Sequence, residues 1–88
     1  MNTEKHKKAI LIVDDDPQHL EILSIKFSME GYRIIIANSG DQALKAIELE
    51  KPGLVLLDIL MPGMKGFEVL KKIKAIDANI PVAMVSSV

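Results

Sequence analysis

The sequence predicts an α/β fold in which a doubly wound parallel sheet of four strands is covered by three helices. Apolar runs too short for helices alternate with segments of helical periodicity. Helix-starting and helix-stopping residues fall between them. The 88-residue length suits a single small domain. Strands that alternate with helices imply parallel pairing through right-handed crossovers.

The run AILIV at residues 9–13 is continuous and rich in Ile and Val, as in a strand buried on both faces. Three aspartates follow, then Pro17. Proline suits the first helical position and Asp16 before it suits the N-cap, so a helix is expected over 17–30, stopped by Gly31. RIIIA at 33–37 is the second strand. Ser39 and Gln42 form a capping box for a helix with Ala43, Leu44 and Ile47 on its apolar face, broken by Pro52 and Gly53. LVLL at 54–57 is the third strand and ends at Asp58. A loop with the sequence MPGM at 61–64 precedes a third helix over 66–76, with Phe67, Leu70 and Ile73 expected to be buried. PVAMV at 81–85 is the fourth strand.

Composition narrows the function. A hydrophobic fraction of 49% supports a real core. The mean hydropathy of +0.24 is high for so short a chain and leaves room for an apolar surface that meets a partner. A net charge of −1 offers no basic field for nucleic acid or an anionic membrane. The absence of cysteine excludes a disulfide scaffold, a thiolate zinc site and a cysteine nucleophile. No apolar run reaches the length of a membrane span, and the polar, basic residues 1–8 do not read as a signal peptide. The expected location is cytoplasmic.

Ligands of parallel α/β sheets bind beyond the carboxyl ends of the strands, where strand order reverses. Asp14, Asp15 and Asp16 follow the first strand, Asp58 ends the third, and Ser86 and Ser87 follow the fourth. If the first and third strands are neighbours, these groups meet. Carboxylates gathered in one cleft repel and call for a cation. Hard oxygen donors, with no histidine or cysteine expected beside them, favour Mg²⁺ in a shallow, open site with positions left for a phosphoryl oxygen.

VDDDP at 13–17, LDILMPGMKG at 57–66 and PVAMVSS at 81–87 together resemble the receiver-domain signature of two-component response regulators, in the right order and spacing. The resemblance implies the flavodoxin-like (CheY-like) sheet with strand order 2-1-3-4. It implies that Asp58 accepts a phosphoryl group from the histidine of a kinase or phosphotransfer protein. It further implies that Asp15 binds Mg²⁺ directly, Asp14 directly or through water, and the Leu60 carbonyl as a further ligand. Ser86 would contact the phosphoryl group through its hydroxyl, and Ser87 through its backbone N–H. Such a domain is a phosphoryl acceptor in signalling rather than an enzyme.

Each of these residues also has a plainer reading. Asp16 is better explained as a helix cap than as a ligand, and the serines as turn residues whose weight comes from context. His6 and His19 read as solvated. In the first helix Leu20, Leu23 and Phe27 share one face, while Ile22, Ile25 and Met29 share the opposite one. The second set, with Gln18, either lies under a neighbouring helix or docks on the helical hairpin of a histidine kinase. By the resemblance, a receiver continues past the fourth strand with a helix, a strand bearing a lysine, and a helix. Residues 1–88 therefore read as a C-terminally truncated receiver domain, with Lys65 a poor substitute for that lysine. In this reading the fourth strand is an exposed edge, which would favour a homo-oligomer such as a symmetric dimer. The alternative function is then a signalling-impaired fragment acting as a self-associating interaction module. A flavodoxin-like cofactor binder fits poorly, because an aspartate-rich loop after the first strand repels phosphate. No helix-turn-helix is visible, so DNA binding is not expected.

Overall fold

A computed structural model describes residues 9–58 and 66–85. Its elements run β1 (Ile10–Val13), α1 (Pro17–Met29), β2 (Ile34–Ala37), α2 (Gly40–Glu50), β3 (Leu54–Asp58), α3 (Gly66–Ile76) and β4 (Val82–Val85). The four strands form one sheet in the order β2-β1-β3-β4, all pairs parallel. This is the architecture and strand order that the sequence implied. Ala9, Arg33 and Pro81, expected as first residues of strands, lie just before them. Their carbonyls still accept Gly53 N–H at 2.9 Å, Ile10 N–H at 2.9 Å and Val55 N–H at 3.0 Å.

Side-chain alternation divides the core into two layers. Leu11, Val13, Val55 and Leu57 point to the face covered by α2 and α3, where they meet Ala43, Ile47, Val69 and Ile73. Ile10, Ile12 and Leu56 point to the opposite face, where α1 supplies Leu20, with Leu23 and Phe27 packed alongside. β1 is buried at every position because it has a strand on each side and helices on both faces.

Local chemistry places the helix ends. Asp16 caps α1 by accepting Gln18 N–H at 3.0 Å. At the other end Gly31, with φ 94°, takes the left-handed conformation that glycine tolerates. Gly31 N–H then reaches Ser28 O and Tyr32 N–H reaches Phe27 O, a Schellman closure. In α2, Gln42 N–H donates to Ser39 Oγ at 3.2 Å, while the Gln42 side chain accepts Asn38 N–H at 2.9 Å. The reciprocal half of the capping box thus falls one residue earlier than expected. α2 stops where Lys51 turns left-handed, φ 48°, ahead of Pro52. After α3, Lys74 Nζ donates to the Ile80 carbonyl and fixes the turn into β4.

Phe67 departs from expectation: it is 65% exposed. The buried stripe of α3 runs through Gly66, Val69 and Ile73, with Leu70 half-buried. At 100° per residue Phe67 sits about 100–160° away from the members of that stripe, so it faces water.

Ile73 is wholly buried whereas Leu49 is 80% exposed. Ile73→Ala is therefore expected to cost about 2–5 kcal/mol in urea unfolding, and Leu49→Ala no more than about 0.5 kcal/mol. Equal costs would mean that α3 does not pack as described.

Candidate functional site

Strand register builds the site. β1 and β3 pair with Val13 opposite Leu57, so Asp14 and Asp58 come next at adjacent strand ends. Both have the parity of Ile10, Ile12 and Leu56, which places them on the α1 face. Both are buried, Asp14 at 1% exposure and Asp58 at 3%. Asp58 is also level with Val85 of β4.

Asp14 is held firmly. Its backbone N–H donates to Ala37 O at 3.1 Å, and its Oδ1 accepts Asp16 N–H at 3.0 Å. Its Oδ2 meets His19 Nδ1. His19 is the third residue of α1 and is partly buried, with its side chain 25% exposed. One ligand atom from each of Asp14, His19 and Asp58 lies within 4.8 Å of the other two.

Expectation and structure therefore differ in membership. Asp14 and Asp58 are brought together as the sequence reading required. Asp15 is exposed and stands outside this group. Asp16 is exposed and serves as the cap. His19, read from sequence as solvated, is instead part of the cluster. A signal for it existed: His19 lies four residues before Leu23, on the half-buried side of α1. Leu60, Lys65, Ser86 and Ser87 lie outside the described residues.

The donor set suits a divalent cation. Two carboxylates buried side by side carry like charges in a low-dielectric setting, and a cation offsets both. Carboxylate oxygens are suitable ligands for Mg²⁺.

The outer face of α1 also agrees with its sequence pattern. Ile22, Ile25 and Met29 are 62%, 54% and 81% exposed, and Gln18 is exposed beside them. Among the described residues no helix is long and apolar enough to cross a membrane.

Comparison with known proteins agrees with the fold. The profile of the response regulator receiver domain matches residues 10–88. Sporulation initiation phosphotransferase F of Bacillus subtilis is 46% identical over 80 residues, covering 91% of this chain and 64% of that protein. The chain spans between about a third and two thirds of the length of the curated relatives it matches. The response regulator TrrA of Thermotoga maritima, solved in complex with Mg²⁺-BeF, superimposes with a TM-score of 0.85 at 37% identity, over 92% of this chain and 70% of that one. A structure of the histidine kinase ThkA in complex with TrrA gives a TM-score of 0.83 at 38% identity, over 91% and 69%. With its strand order, its paired strand-end aspartates and this profile match in agreement, the chain belongs to the response regulator receiver domain family.

Proposed function

We propose that this chain accepts a phosphoryl group on Asp58 from the histidine of a kinase or phosphotransfer protein, with Mg²⁺ as the assisting ion. The observation that carries the reading is the burial of Asp14 and Asp58 side by side at the carboxyl ends of β1 and β3. Two carboxylates buried at that position would together hold a divalent cation. Mg²⁺ bound there would offset the negative charge gathering on the phosphoryl oxygens. Asp14 and Asp58 would hold it, with Asp15 and the Leu60 carbonyl completing the set.

In the transfer, a carboxylate oxygen of Asp58 forms a bond to phosphorus as the bond from phosphorus to the donor nitrogen breaks, and the departing imidazole keeps that electron pair. The protein's contribution is positioning and charge compensation. Strand pairing at the end of β3 fixes the Asp58 backbone, and contacts to Asp16 and His19 hold the Asp14 carboxylate in place. In the same reading the Ser86 hydroxyl and the Ser87 backbone N–H contact the phosphoryl group.

The partner surface is the outer face of α1. Gln18, Ile22, Ile25 and Met29 are exposed on the helix that also carries His19 into the site. A partner helix that covers this apolar face is brought close to the strand ends. The named complex of a histidine kinase with a response regulator of this fold supports the assignment.

With acetyl phosphate and Mg²⁺, the chain should gain one phosphoryl mass that hydroxylamine removes, and Asp58→Asn should gain none. A phosphate that survives hydroxylamine, or one retained in Asp58→Asn, would refute the reading. Met29→Glu and Ile22→Glu should slow transfer from a phosphorylated kinase by about tenfold or more, the loss expected when an apolar contact becomes a buried charge. Labelling by acetyl phosphate should be unaffected in both variants. Saturating Mg²⁺ at about ten times its dissociation constant should add about 1.4 kcal/mol to thermal stability. EDTA should abolish that gain, and Asp14→Asn should lack it.

A further inference from the structure

The aspartates alone make an all-oxygen site, but the structure adds a nitrogen. His19 is placed there by two independent features. The cap formed by Asp16 starts α1 immediately after the β1 loop, so the third helical residue falls over the strand ends. The parity of β1 and β3 turns Asp14 and Asp58 to that same face. The ring Nδ1 lies against Asp14 Oδ2, and the ligand atoms of His19, Asp14 and Asp58 are all within 4.8 Å of one another. Neighbouring ligands of an octahedral ion stand about 3 Å apart and opposite ones about 4.2 Å. One ligand atom from each of the three residues lies within 4.8 Å of the others, close to that spacing.

We propose that His19 is a direct ligand of the divalent ion in this chain, making the site a mixed nitrogen and oxygen site. It then takes first-row transition ions such as Co²⁺ and Mn²⁺ in preference to Mg²⁺. The inference rests on the reading of Asp14 and Asp58 as metal ligands and goes beyond it. Imidazole discriminates strongly between ions: it binds the later transition metals well, whereas Mg²⁺ prefers hard oxygens and retains its waters. Replacing His19 therefore removes a ligand that matters for Co²⁺ and hardly matters for Mg²⁺. If His19 only steadied Asp14 through their contact, its loss would weaken every ion at the site to a similar degree.

The chain has 2 histidines, so a His6→Gln background leaves His19 as the single imidazole. In that background, calorimetric titration of the 88-residue chain with Mg²⁺, Mn²⁺ and Co²⁺ is compared with the same titrations of His19→Asn. The expected result is a fall of about tenfold or more in the ratio of Co²⁺ to Mg²⁺ affinity, with Mn²⁺ between them. An unchanged ratio overturns the proposal, whether both affinities fall together or neither moves. If His19→Asn does not fold, proton NMR of the His6→Gln chain with Co²⁺ decides the matter. Direct ligation moves the His19 ring resonances far outside the diamagnetic range, and ring resonances left in place contradict it. Phosphate uptake at Asp58 is read separately with Mg²⁺, so either reading can fail while the other stands.

Discussion

Everything at this site depends on the parallel register of β1 against β3. With Val13 opposite Leu57, the next residues out are two aspartates, and alternation turns both to the α1 face. A slip of one residue would send one carboxylate into the layer beneath α2 and α3. That layer is filled by Leu11, Val13, Val55 and Leu57, each essentially inaccessible, so the slip is strongly disfavoured. The hydrophobic pattern that folds the sheet thus also sets the spacing of the carboxylates.

α1 joins three roles in one helix. Its inner face supplies Leu20, Leu23 and Phe27 to the sheet. Its first turn carries His19 to Asp14, and its outer face exposes Ile22, Ile25 and Met29. The proposed binding on the outer face and the proposed chemistry at the strand ends are therefore linked by one helix. The cap at Asp16 belongs to both, since its backbone N–H braces Asp14 while its carboxylate starts the helix.

Most of the fold was legible because short Ile- and Val-rich runs, helix caps and Gly31 each act locally. Asp14 and Asp58 were legible because each directly follows a buried apolar run. Phe67 falls outside the core because its angle from Val69 and Ile73 turns it to water, whatever its aromatic character beside a helix start suggests. His19 was missed for a different reason. Its role depends on how α1 crosses β1, and that tertiary relation leaves only a weak mark in a single sequence. For the same reason the burial of Asp14 and the exposure of Asp15 were not legible in the run of three aspartates, since which of two consecutive acids turns inward is decided by the strand end.

The central claim is that the buried carboxylates of Asp14 and Asp58 share one cation. Crystals of the chain grown with Mn²⁺ and measured for anomalous scattering test it most directly. The account predicts one strong peak within about 2.0–2.6 Å of oxygens from both residues. A peak bound elsewhere on the surface, or well-ordered Asp14 and Asp58 side chains with no ion between them at saturating Mn²⁺, would contradict it.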